Sequence, residues 1–93
     1  MNYIAEHVPA NHYVYILECK DMTLYTGTAK NIEKRVQEHN NSRSGAKYTR
    51  GRRPVKLVYA EICPDFSAAL KREAEIKKLS HAEKLLLISL HNR

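Results

Sequence analysis

Ninety-three residues, with 43% hydrophobic and 28% charged side chains, suffice for one folded domain and are too few for two. No apolar run approaches a membrane span, Leu85–Ile88 being only a helix-core fragment, so no membrane partner is expected. Sixteen Lys and Arg against ten Asp and Glu give a net charge of +6, which points toward a polyanionic partner.

The charge is localised. Arg43, Lys47, Arg50, Arg52, Arg53 and Lys56 lie in one stretch without an acid, and the remainder of the chain balances. Tyr48 sits among them, as an aromatic would in a contact to a phosphate backbone. A solvated surface loop gives the same composition. The two cysteines, Cys19 and Cys63, are too few for a disulfide framework or a zinc site. They end two predicted strands and read as small buried apolar residues. The N-terminus has no basic stretch followed by an apolar one, so no secretory leader is expected and the cytoplasm is the expected compartment.

In chain order, residues 1–10 show no period and read as a loose arm. His12–Cys19 has the β-branched and aromatic content of a central strand. After a polar turn at Lys20–Met22, Thr23–Thr26 closes a hairpin, and Gly27 is expected to end it at a sharp bend. Thr28 or Asn31 can cap a helix reaching about Asn40, with Ile32, Arg35, Val36 and His39 on its inward stripe. Residues 41–54 read as a basic loop, and Pro54 marks entry to a strand over Val55–Ile62, with Val55, Leu57 and Tyr59 sharing a face.

A second helix begins after Pro64, capped by Asp65 or Ser67, with Phe66, Ala69, Leu70 and Ile76 on its apolar stripe. Glu73 falls on that same face, whereas Glu75 points outward. Ser80 and Glu83 match a capping box that opens a third helix through Leu90. The order ββα–loop–βαα predicts an α/β sandwich: a three-stranded, mostly antiparallel sheet flanked by three helices, one domain over residues 1–93.

Arg35, His39 and Glu73 on core-facing stripes are costly unless they are paired or line a cleft. An Arg35–Glu73 ion pair, or tips reaching back to water, would satisfy them structurally. The tyrosines argue otherwise. Tyr13-Val-Tyr15 and Tyr25-Thr-Gly27 resemble the paired tripeptides of the GIY-YIG nuclease superfamily, with Tyr25 ten residues after Tyr15 and Arg35 ten after Tyr25. His39 one turn later, and Glu73 within Ala69-Leu-Lys-Arg-Glu73, match further positions of that family. The stretch Gly45–Tyr59 looks like its stand-alone, single-domain bacterial branch.

The sequence departs from the family pattern at Tyr13, where a glycine is usual, and at Thr26. It also departs at Thr28, where relatives carry a lysine that Lys30 could replace. The family's late asparagine has no counterpart before Asn92.

The resemblance implies phosphodiester hydrolysis with one divalent cation. Tyr15, with Tyr25, would orient or deprotonate the attacking water. Arg35 would grip the phosphate, and His39 would assist as base or hydrogen-bond partner. Glu73 would hold Mg²⁺ or Mn²⁺ at a weak site completed by waters and substrate. Nucleic acid, DNA before RNA, is the expected partner, bound by Arg43, Lys47, Tyr48, Arg50, Arg52 and Arg53. The alternatives are a non-catalytic nucleic-acid-binding module using residues 43–56, or a protein that docks through its leucine-rich third helix.

Overall fold

The computed structural model describes residues 11–41 and 43–91. The expected N-terminal arm and Asn92 lie outside the described residues. The elements in chain order are β1 (His12–Glu18), β2 (Leu24–Ala29), α1 (Ile32–Asn41), α2 (Lys47–Arg50), β3 (Lys56–Cys63), α3 (Phe66–Lys77) and α4 (His81–His91). The sheet is antiparallel throughout, in the order β2-β1-β3. The three long helices stand where the sequence predicts them. The basic segment, expected as loop, contains the one-turn helix α2.

Alternation along the central strand assigns the two faces. Val14 and Ile16 pack with Tyr59, Cys63 and the α3 residues Ala69 and Ile76; Leu87 and Ile88 of α4 lie against this cluster. Tyr15, Leu17, Cys19 and Val55 occupy the opposite cluster, covered by Ile32 and Val36 of α1. The two cysteines are therefore buried in different clusters, and burial pushes both thiols up.

Three sequence expectations need correction. Gly27 does not end β2; it lies within the strand, paired with Tyr15. That leaves Asn31, not Thr28, as the α1 cap, its side chain accepting from the Lys34 N–H at 3.0 Å. Val55, Leu57 and Tyr59 do not share a face. A register shift pairs Ile16 with Tyr59 but Leu17 with Leu57, so Val58 is the extra residue of a bulge. Val55 and Tyr59 consequently sit in opposite clusters, and Leu57 is exposed.

The apolar stripe of α3 is also narrower than expected. The helix seats Ala69 and Ile76; Leu70, turned about 100° from Ala69, stays exposed, and so does Phe66 in the first turn. Asp65 is the cap, accepting from the Ala68 N–H at 2.8 Å. The capping box closes as expected, with Ser80 N–H to Glu83 at 2.8 Å and Glu83 N–H to Ser80 at 3.1 Å. No helix among the described residues is long and apolar enough to cross a membrane.

Candidate active site

Tyr15 lies on the central strand beneath α1, with 1% of its surface exposed. Its partner in the ladder is Gly27, so the ring extends over backbone that carries no side chain. The phenol oxygen reaches Nε2 of His39 at 2.8 Å. His39 is the one fully buried residue of α1, and its Nδ1 faces Oγ1 of Thr49 on α2 at 2.8 Å. The Thr49 hydroxyl in turn donates to the Ala46 carbonyl at 2.9 Å. Tyr15, His39 and Thr49 thus form a continuous polar chain inside the protein.

The protonation states follow from burial. The Tyr15 hydroxyl is pushed up to about 12, chiefly by desolvation and then by neighbouring Tyr25, with Arg35 pulling the other way. His39 is pulled down to about 4 by desolvation and then by the Arg35 charge. At neutral pH the pair is a neutral phenol against a neutral imidazole.

Tyr25 lies diagonally across the hairpin from Tyr15, ring centroids 6.5 Å apart, and meets His39 edge-on at 5.2 Å. Arg35 stands one turn before His39 on α1. Its guanidinium donates to Glu38 and to the Ser44 carbonyl, each at 2.8 Å, and it lies beside the Tyr15 hydroxyl. Arg35 joins Lys30, Lys34 and Glu38 in lining a surface depression of about 290 Å³.

The ion pair between Arg35 and Glu73 that the sequence allowed is not formed. Arg35 pairs with Glu38, and Glu73 pairs with Lys77 at 3.3 Å. The Glu73 side chain is 19% exposed, and its charge is among those acting on Tyr15. Among the described residues no group of three or more His, Cys, Asp or Glu converges to hold a metal. Glu73 is therefore a single hard oxygen donor whose charge reaches the tyrosine, fitting a divalent cation that takes its other ligands from water and phosphate.

The basic segment divides into two kinds of residue. Arg43, Lys47 and Arg50 are exposed. Arg52 is engaged with the fold: it donates to Asp21 at 3.0 Å and to the Tyr48 carbonyl at 2.8 Å, with its guanidinium 3.9 Å from the Tyr48 ring centroid. Tyr48 also stacks on Tyr25 at 6.0 Å. Arg53 donates to the carbonyls of His39 and Glu38 at the end of α1, where a cation suits the helix terminus.

Thr49, Glu38 and Gly45 were not singled out from sequence. Gly45 is needed for closeness, since a Cβ there would lie 2.7 Å from the Glu38 carbonyl oxygen. Only the glycine itself could have signalled this; Thr49 carries no periodic signal at all.

A family model described as the GIY-YIG catalytic domain matches residues 11–85. The chain is 65% identical over 79 residues to a UPF0213 protein of Syntrophus aciditrophicus, spanning 85% of this chain and 91% of that one. It is 62% identical over 78 residues to a UPF0213 protein of Staphylococcus saprophyticus, spanning 84% and 94%. The solution NMR structure of a UPF0213 protein from Bacillus halodurans superposes with a TM-score of 0.56 at 49% identity, covering 86% of this chain and 84% of the other. An Enterococcus faecalis protein solved by NMR gives 0.58 at 38% identity, covering 89% and 88%.

Proposed function

The chain belongs to the GIY-YIG catalytic-domain family, and from that premise we propose that it is a divalent-metal-dependent endonuclease that hydrolyses phosphodiester bonds in DNA. Family membership carries the nuclease type of function. The observation that supports turnover in this chain is the Tyr15–His39 hydrogen bond at 2.8 Å, buried beside the Arg35 guanidinium.

Hydrolysis needs a deprotonated water, a neutralised phosphate and a stabilised leaving oxygen. A phenol held at about 12 is no anionic base at neutral pH. Tyr15 therefore acts by passing its own proton inward to His39 as its oxygen takes one from the attacking water. Water oxygen bonds to phosphorus, the bond to the leaving oxygen breaks with its electron pair, and that oxygen is protonated from solvent. Arg35 holds the non-bridging oxygens, since its planar fork matches two of them. Glu73 would hold Mg²⁺ or Mn²⁺, which supplies positive charge to the phosphate when bound. Tyr25 packs against His39 and Tyr15 and keeps both rings in place.

Arg43, Lys47 and Arg50 are the exposed cations of the basic segment and make the duplex contact in this reading. The test is incubation of the purified protein with duplex, single-stranded and branched DNA, and with RNA, in Mg²⁺ or Mn²⁺ beside an EDTA control. Metal-dependent cleavage of DNA is expected. Binding without cleavage across the panel overturns the nuclease assignment in favour of a binding module.

A further inference from the structure

We propose that Thr49 fixes the tautomer of His39, so that Tyr15, His39 and Thr49 form one hydrogen-bond chain with a single direction. In that chain Tyr15 O–H donates to Nε2, Nδ1–H donates to Thr49 Oγ1, and the Thr49 hydroxyl donates to the Ala46 carbonyl. The proposal deepens the nuclease reading of this site and rests on it for its catalytic meaning.

In the substrate-free protein Tyr15 is 1% exposed, and His39 and Thr49 are 0% exposed, so each polar hydrogen must there find its acceptor within the protein. With the proton on Nδ1, the three donors meet acceptors at 2.8, 2.8 and 2.9 Å. With the proton on Nε2, the imidazole donates to the phenol oxygen, on the side where the positive Arg35 guanidinium already acts on it and where no acceptor stands. The phenol O–H is then stranded in the interior. The one contact that favours Nε2–H is the Ala46 N–H, 3.4 Å from Nδ1 and the longest of the set. Ala46 is only half-buried, whereas the phenol O–H belongs to a residue 1% exposed, so the second is the costlier donor to strand.

This direction is the one the reaction requires. When the Tyr15 oxygen takes a proton from water, the phenol proton moves to an Nε2 that carries a lone pair. The imidazolium so formed keeps its Nδ1–H on Thr49. A third residue that orients a histidine in this way is the general logic of a nucleophile, base and orienter. Thr49 touches neither water nor phosphate; it is a positioning residue, and α2 is the element that delivers it.

The test is nitrogen-15 NMR of the full chain labelled at histidine, read at neutral pH in wild type, Thr49→Val and Thr49→Ser. The His39 signals are identified by their loss in His39→Gln. Wild type and Thr49→Ser are expected to show a pyrrole-type Nδ1 and a pyridine-type Nε2. Thr49→Val keeps the shape but removes the acceptor, leaving only the donating Ala46 N–H at Nδ1, so its proton is expected on Nε2. Nε2–H in the wild type overturns the proposal, and so does Nδ1–H that persists in Thr49→Val. Should Thr49→Val not fold, the wild-type tautomer decides.

On DNA, kcat is expected to fall at least tenfold in Thr49→Val with KM unchanged, and to be restored in Thr49→Ser. A wild type with the expected tautomer that cleaves nothing would sink the nuclease reading while leaving the Thr49 assignment standing.

Discussion

Gly27 stands opposite Tyr15 in the β1–β2 ladder, and a Cβ on Gly27 would lie 2.6 Å from the Tyr15 hydroxyl oxygen and 2.8 Å from its ring carbon. No glycine here has positive φ, so what this position demands is space and not backbone freedom. The ring is buried and tied to His39, and it cannot step aside. Gly27→Ala is expected to cost about 1–3 kcal/mol through overpacking, read as a lower melting temperature, and to break the Tyr15–His39 contact. A variant melting with the wild type would contradict this.

Tyr15→Phe keeps the ring and removes the hydroxyl. Its expected stability cost is about 1–3 kcal/mol, because Nε2 of buried His39 loses its partner. Cleavage is expected to fall by about 10²-fold or more. Comparison of melting curves with single-turnover rates separates the two effects. Full activity in Tyr15→Phe would move the proton-handling role to Tyr25.

The buried imidazole sets a pH dependence of folding. The unfolded chain takes this proton near pH 6.5, whereas the folded chain resists it down to about 4. Between those values the unfolded state holds more protons, so stability is complete above the window and is lost as pH falls through it, by up to about 3 kcal/mol. Asp21, held low by Thr23, and Glu38, held low by Arg35, lose stability in the same direction at more acid pH. Melting temperature against pH should fall from 6.5 to 4 in the wild type and less steeply in His39→Gln. Parallel curves would contradict the burial of a neutral His39.

Much of this was legible in the sequence because local rules and tertiary packing agree. The Ser80–Glu83 box, the Asp65 cap and the apolar β1 strand each state their element outright. The site was legible through conflict: Arg35, His39 and Glu73 interrupt apolar stripes. What escaped notice depends on distant partners. Leu57 loses its place to a bulge that strand composition does not encode. Gly27 answers to Tyr15, twelve residues away in sequence, and so reads falsely as a bend. Thr49 looks like any polar residue of a basic loop until the fold carries His39 to it. Arg52 and Arg53 count as free charge in the sequence, yet the structure spends them on Asp21, Tyr48 and the end of α1.

That division of the basic segment has a measurable consequence. Each phosphate neutralised on duplex DNA contributes about 0.9 to the log–log dependence of binding on salt. Replacing exposed Lys47 and Arg50 together by alanine should flatten the slope by up to about two, with melting unchanged. Arg52→Ala should register chiefly as lost stability. An unaltered slope in the Lys47/Arg50 double variant would mean that the duplex contact lies elsewhere.

Cleavage of nucleic acid with a divalent cation, as proposed for this chain, turns on Glu73. Its partner is Lys77 at 3.3 Å and not Arg35, so Glu73→Gln removes a helix-surface pair worth only about 0.3–0.5 kcal/mol. The most direct measurement is DNA cleavage in Mg²⁺ or Mn²⁺ by wild type and Glu73→Gln, with melting and EDTA-phase binding recorded on the same preparations. Near-equal melting, retained binding and loss of cleavage are expected, because a neutral amide oxygen replaces a carboxylate poorly at a hard cation. A Glu73→Gln protein that cleaves at the wild-type rate would contradict this.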